Sequence, residues 1–96
     1  MYMRIFSAQA RPGTVDELAH RLQAFIEGQL RGLPGFIHLY GGGDRSTNQV
    51  VLVSVWDTQA HMAAASPQAQ AFAAAVQDLL VAAPVVTAYE ILAQGS

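Results

Sequence analysis

Three side chains of this sequence carry groups that can hold or deprotonate an organic ligand: Trp56, His38 and Arg4. The indole of the single tryptophan offers a flat apolar wall and one N–H donor. A neutral imidazole can accept a proton near physiological pH, and a guanidinium binds the oxygen of a phenolate or a carboxylate. We therefore take these three as the candidate catalytic residues.

Each candidate also has a purely structural interpretation. Trp56 suits a plain core position as well as the wall of a pocket. His38 lies between Phe36 and Tyr40, where burial would favour the neutral ring, but a histidine satisfied on a sheet or dimer face fits the same position. Arg4 shares its expected strand face with apolar side chains, and an edge-strand charge or a salt bridge between subunits explains it equally.

A metal centre finds little support in the sequence. The chain has no cysteine, which excludes thiolate sites and disulfides, and His20, His38 and His61 are far apart. His61 follows Asp57 by one helical turn, so these two side chains can simply bond to each other. We expect no metal and no other cofactor.

The elements that position these residues follow from hydrophobic periodicity. Alternation predicts strands over residues 2–10, 36–40, 50–56 and 85–93, and an apolar stripe with a helical period predicts helices over 15–31 and from about Ser66 to Ala83. Thr14 and Glu17 form a capping-box pattern, and Ser66 precedes Pro67 as an N-cap would. Gly41 to Asn48 is expected to be a hairpin loop. The order βαββαβ predicts an α+β, ferredoxin-like single domain over residues 1–96, with a four-stranded antiparallel sheet and two helices on one face.

The third strand predicts the assembly. Val51, Val53 and Val55 would point to one face of the sheet and Leu52 and Trp56 to the other, so both faces need an apolar cover. Helices cover one face, and we expect a second copy of the chain, in a homodimer, to cover the other.

Composition excludes several partners. Seven acidic residues face five scattered arginines and no lysine, for a net charge of −2, which argues against nucleic acid as a partner. No apolar run approaches the roughly 20 residues needed to cross a bilayer, and the first residues alternate like a strand rather than forming a secretion signal. We expect no membrane association and a cytoplasmic location.

Two junctions of the chain resemble those of a known family. Leu33-Pro34-Gly35-Phe36 opens the second strand, and Trp56-Asp57 followed by Ala60-His61 joins the third strand to a helix. In these features the chain resembles the antibiotic biosynthesis monooxygenase family of dimeric α+β barrels. The resemblance implies that two sheets face each other in a homodimer. Some members degrade haem, with an asparagine in the first strand and a histidine on the second helix as the iron ligand. This activity is disfavoured here, because the sole asparagine, Asn48, lies in the hairpin loop and no histidine follows Ser66.

The resemblance implies a cofactor-independent monooxygenase acting on an aromatic or quinol-like small molecule. Its pocket would lie between sheet and helices, with candidate pocket residues Phe6, Ser54, His61, Met62, Phe72 and Tyr89. The alternative is a non-catalytic dimer that binds a hydrophobic small molecule, or a structural homologue whose pocket has filled. A sensing module of ferredoxin-like fold is disfavoured by the acidic composition and the lack of an appended domain.

Overall fold

The computed structural model describes residues 1–95 and has the predicted ferredoxin-like α+β architecture. Its elements are β1 (Tyr2–Gln9), α1 (Val15–Phe25), β2 (Phe36–Asp44), β3 (Gln49–Trp56), α2 (Gln59–Ala64), α3 (Ser66–Val76) and β4 (Val85–Glu90). The strands form one antiparallel sheet in the order β2-β3-β1-β4.

The pairing of β1 with β3 decides which side chains face the helices. Arg4 lies opposite Ser54, Phe6 opposite Leu52, and Ala8 opposite Val50. Because side chains alternate along a strand, these residues share one face, where they pack under α1 and α3. We call this the helix face and the other the outer face.

The second strand is longer and less regular than predicted. Gly41 to Asp44 belong to β2 rather than to a loop, because they pair with β3 from Leu52 to Gln49. The turn is short and ends at Asn48, which has a φ of 63°. A β-bulge lies between Phe36 and His38 and breaks the predicted alternation, so that these two residues do not share a face.

Both predicted N-cap signals at Thr14 and Ser66 are wrong in detail. The Thr14 hydroxyl lies 2.7 Å from the carbonyl oxygen of Arg11 and donates there, and no side chain caps α1. Ala65 occupies the cap position of α3, so Ser66 is already helical and its hydroxyl is free for other contacts. Thr58 caps α2 by accepting a hydrogen bond from the His61 amide.

The ends of two elements also differ from expectation. α1 continues into a wider turn over Ile26–Leu30, in which the Arg31 amide bonds to the Ile26 carbonyl at 3.1 Å. α3 ends at Val76 and passes into a short 3-10 turn, several residues before Pro84. The covering layer therefore leaves β4 uncovered: Val86 on its helix face is 52% exposed.

Candidate active site

A cavity of about 360 Å³ lies between the helix face of the sheet and the helices. This volume is in the range of small-molecule sites, roughly 300–1,000 Å³. Its wall is mostly apolar. The lining residues are Arg4, Phe6, Phe25, Leu30, Leu39, Leu52, Ser54, Trp56, Ala65, Ser66, Ala69, Gln70, Phe72, Ala73 and Val86.

Arg4 is the only ionisable residue of that lining. Its Nη2 donates to the Met62 carbonyl at 2.8 Å and to the Ser66 hydroxyl oxygen at 3.1 Å. Both partners are neutral, and among the ion pairs of residues 1–95 none involves Arg4. Burial lowers the pKa of the Arg4 guanidinium, because the charged form loses water around it. The cavity thus holds a half-buried cation whose charge no carboxylate balances.

Trp56 and Ser54 lie side by side next to this cation. The indole N–H donates to the Ser54 hydroxyl oxygen at 3.0 Å, so the hydroxyl hydrogen remains free to donate to another group. Trp56 is 1% exposed and packs edge-on against Phe36, with ring centroids 5.4 Å apart. Its partner Ser54 is the one buried polar side chain among the described residues of this core.

Aromatic rings and alanines form the rest of the wall. Phe72 lies between Phe25 and Phe6, with centroid separations of 4.7 and 6.1 Å. On the same face of α3, Ala65, Ala69 and Ala73 recur every four residues and line the cavity. Small side chains at these positions leave space between α3 and the sheet.

Five of the nine residues named from the sequence line this cavity: Arg4, Phe6, Ser54, Trp56 and Phe72. The other four, His38, His61, Met62 and Tyr89, do not. Sequence reasoning missed the α3 contributors Ser66, Ala69 and Gln70. Ala69 lies three residues before Phe72 and Ser66 three before Ala69, and this helical spacing was the available signal. Gln70 lies two residues before Phe72, so no such spacing indicated it.

His38 lies on the outer face and does not line the cavity. It pairs with Val55 across the strands and is exposed in the single chain. Its ring lies beside that of Tyr40, with centroids 5.0 Å apart. Tyr89 is also on the outer face, opposite Met3, and is 52% exposed. These side chains are separated from the cavity by the sheet itself.

Met62 and His61 lie near the cavity but contribute differently from expectation. Met62 is buried, and its carbonyl rather than its side chain serves the site by accepting from Arg4. His61 turns away and bonds through Nδ1 to the Asp57 carboxylate at 2.7 Å. This hydrogen bond is the main reason why the pKa of Asp57 lies below its ordinary value.

The contact between Asp57 and His61 leaves no room for a side chain at position 35, which is Gly35. Its φ is +78°, and a Cβ there would lie 2.2 Å from the Asp57 carboxylate oxygen. The Asp57 amide also donates to the Gly35 carbonyl at 3.0 Å. These contacts lock the junction that directly follows Trp56, and so they fix the end of β3 at the cavity wall.

A second groove of about 330 Å³ lies between α1 and the glycines of β2. Its cation, Arg45, differs from Arg4 in having a charged partner, because it pairs with the Asp16 carboxylate at 2.7 Å.

Within residues 1–95 no group of three acidic or histidine side chains could hold a metal ion. No helix of the same residues is long and apolar enough to cross a membrane.

Solved structures share this fold over nearly the whole chain. Rv0793 from Mycobacterium tuberculosis has 22% identity and a TM-score of 0.77, with 99% of this chain and 98% of that chain covered. NE2512, a protein of unknown function from Nitrosomonas europaea, has 18% identity and a TM-score of 0.80, with 99% and 92% covered. An antibiotic biosynthesis monooxygenase has 14% identity and a TM-score of 0.75, with 97% and 100% covered.

At these identities the structural similarity establishes the fold alone. No curated protein sequence matches the chain. The sequence profile of the antibiotic biosynthesis monooxygenase family, however, matches residues 1–78, which include β1 to α3 and every lining residue of the cavity except Val86. The chain therefore belongs to the antibiotic biosynthesis monooxygenase family.

Proposed function

We propose that this protein is a monooxygenase that oxidises an aromatic or quinol-like small molecule in the cavity beside Arg4, without a metal or organic cofactor. The observation that carries the proposal is the half-buried guanidinium, which faces an apolar cavity and has no carboxylate partner among residues 1–95. Leaving a cation unbalanced in such a place is costly. An anionic ligand would compensate for it.

The chemistry requires an electron-rich substrate anion and dioxygen. Arg4 stabilises the anion formed when an acidic phenol or its carbon tautomer loses a proton. The anion passes an electron to dioxygen, the resulting radical pair forms a C–O bond, and the carbon carries a hydroperoxide. At a CH₂ group, loss of water then leaves a carbonyl. One oxygen atom of O₂ enters the product and the other leaves in water.

The cavity itself supplies no general base, because Arg4 is the sole ionisable residue that lines it. The proton therefore passes to solvent through the side left open at β4, where Val86 is half-exposed. Under this proposal the rate rises with pH through the pKa of the substrate rather than that of a histidine. Substrates of different acidity would have correspondingly displaced pH profiles.

Oxygen uptake with chelator-treated protein tests the proposal. The substrates are a panel of quinols and anthrone-like phenols, and the variants are Ala69→Leu, which fills the cavity, and Ala74→Leu, which adds the same side chain to an exposed position of α3. We expect uptake above autoxidation in the wild type and in Ala74→Leu, and little in Ala69→Leu. Wild-type uptake no faster than autoxidation refutes the proposal.

The lack of a base in the cavity also favours a second candidate function, a non-catalytic protein that binds an aromatic anion. Both functions predict ligand binding that depends on Arg4. They differ in turnover: the binding protein would retain the ligand unchanged under air. Product analysis after prolonged incubation distinguishes them.

We further propose that the protein acts as a homodimer whose outer faces pack together. In a single chain this face presents Tyr40 at 68% exposure, Val85 at 64% and Tyr89 at 52%. An apolar surface of this kind is unusual for a monomer. The facing-sheet arrangement that the family resemblance implies would cover it, and sedimentation measures the assembly directly.

A further inference from the structure

We propose that Ser66 determines the specificity of the cavity, by making Arg4 a receptor for a ligand with a single anionic oxygen rather than for a carboxylate. The inference rests on the proposed ligand site beside Arg4 and goes beyond it by naming the residue that selects such an anion over a carboxylate. Ser66 is a positioning residue, because it acts through the guanidinium.

The geometry of arginine carries the argument. A guanidinium can present two parallel N–H groups in two ways, either from Nε with Nη2 or from Nη1 with Nη2. Both forks use Nη2. In this protein the two hydrogens of Nη2 have two acceptors, the Met62 carbonyl and the Ser66 hydroxyl, at 2.8 and 3.1 Å. Neither fork is therefore open to a ligand.

The donors that remain suit one oxygen atom. Nε and Nη1 make no hydrogen bond to residues 1–95, so they can each bind an oxygen, but they do not form a parallel pair. A carboxylate gains most from a parallel pair of N–H donors, whereas the single oxygen of a phenolate or enolate accepts from donors that need not be parallel. Because both parallel N–H pairs of Arg4 include the occupied Nη2, a carboxylate loses the paired hydrogen bonds that usually make it bind arginine tightly.

A neighbouring donor strengthens this preference. Ser54 lies directly opposite Arg4 in the pairing of β1 with β3. The Cβ atoms of such opposite residues are about 4.5–5.5 Å apart. Its oxygen already accepts from the Trp56 indole, so its hydroxyl hydrogen is the part available to the cavity. One anionic oxygen can then accept from both the guanidinium and this hydroxyl.

A matched pair of ligands tests the inference without turnover. Pentafluorophenolate and pentafluorobenzoate have the same ring, both are ionised at neutral pH, and they differ in having one or two anionic oxygens. Because Trp56 is the only tryptophan and lines the cavity, quenching of its fluorescence reports binding. We expect the wild type to bind the phenolate about tenfold more tightly, the usual effect of one charge-assisted hydrogen bond.

Variants at position 66 then separate the inference from simple packing. Ser66→Ala frees one hydrogen of Nη2, reopens a fork and should reduce the preference by about tenfold, to near unity, chiefly by tightening benzoate binding. Ser66→Thr keeps the hydroxyl and should keep the preference. Ser46→Ala, at an exposed position of the turn between β2 and β3, is the matched control. The cap of α3 is unaffected, because Ala65 occupies that position.

The outcomes distinguish this inference from the proposed function. In one outcome both anions bind, Arg4→Met abolishes their binding, and Ser66→Ala leaves the preference between them unchanged. This outcome overturns the inference but supports the ligand site beside Arg4. Equal binding of the two anions by the wild type also overturns the inference. Failure of both anions to bind overturns the inference and the proposed ligand site together.

Discussion

The two faces of the sheet differ in how completely they are covered. On the helix face, Trp56 is 1% exposed and Phe6 is 8% exposed, and the remaining space is a cavity beside a cation. On the outer face, Tyr40 and Tyr89 are 68% and 52% exposed. Alternating residues of the same strands form both surfaces. The difference teaches that one chain encloses a cavity on the helix face but leaves an apolar surface on the outer face, which the proposed dimer would cover.

The largest expected effect is on the stability of the helix face. Trp56→Ala removes a buried indole that contacts Phe36 and bonds to Ser54, and we expect it to lower the free energy of unfolding by about 3–5 kcal/mol. Tyr40→Ala, on the outer face, should cost less, and its cost should depend on protein concentration. Urea unfolding at two protein concentrations measures both. Equal, concentration-independent losses would contradict the comparison.

The next effect concerns the outer face. Val53→Arg places a charge at the centre of β3 on that face, and burying it in a dimer without a partner should weaken association at least about a hundredfold. Gln49→Arg adds the same side chain at the exposed end of the strand and should have little effect. Sedimentation reads the mass of each variant. A Val53→Arg protein that remains dimeric shows that association uses a different surface.

Arg4→Met sharpens the comparison from inside the cavity. Removing the cation should weaken binding of aromatic anions about 10- to 100-fold, because each charge-assisted hydrogen bond contributes about 1.5–3 kcal/mol. The thermal stability should stay the same or rise, since Arg4 has no charged partner to lose. Titration followed by Trp56 fluorescence measures the first effect and calorimetry the second. Arg31→Met, at an exposed position, is the control.

The smallest effect is the pH dependence of the ion pair that joins α1 to the 3-10 turn after α3. Arg21 on α1 donates to the Asp78 carboxylate at 2.9 Å and lowers the pKa of that carboxyl. The pair therefore contributes stability above the unfolded pKa of about 3.9 and loses it as pH falls through the lower folded value. Asp78→Asn should melt slightly below the wild type near pH 6, and the difference should vanish in acid. A difference that persists at low pH contradicts this assignment.

Hydrophobic period predicted the fold because the apolar side chains of β1, β3 and α1 recur without interruption. Thus the sequence alone places Arg4 and Phe6 on one face of β1, and Leu52 and Trp56 on one face of β3, whereas the register of the pairing brings these residues onto a common face. The failure at His38 has a specific cause: the bulge after Phe36 adds a residue and turns the imidazole to the opposite face. Residue types alone do not reveal where a bulge will form.

Strand register explains the second failure. Tyr89 follows an alternating segment, and only its pairing with Met3 assigns it to the outer face. Ser66 was missed for a related reason, because its local pattern suggested an N-cap. Its contact with Arg4 spans 62 positions of the chain and depends on tertiary packing.

The most direct test of the central claim is the fate of isotopically labelled dioxygen in a reaction of chelator-treated protein with the best substrate of the oxygen-uptake panel. Mass spectrometry of the product is the measurement, with the wild type and Arg4→Met compared against substrate alone. The account predicts one labelled oxygen atom in the wild-type product and a product yield close to that of substrate alone for Arg4→Met. Product from the wild type without label, or equal labelled product from Arg4→Met, would contradict it.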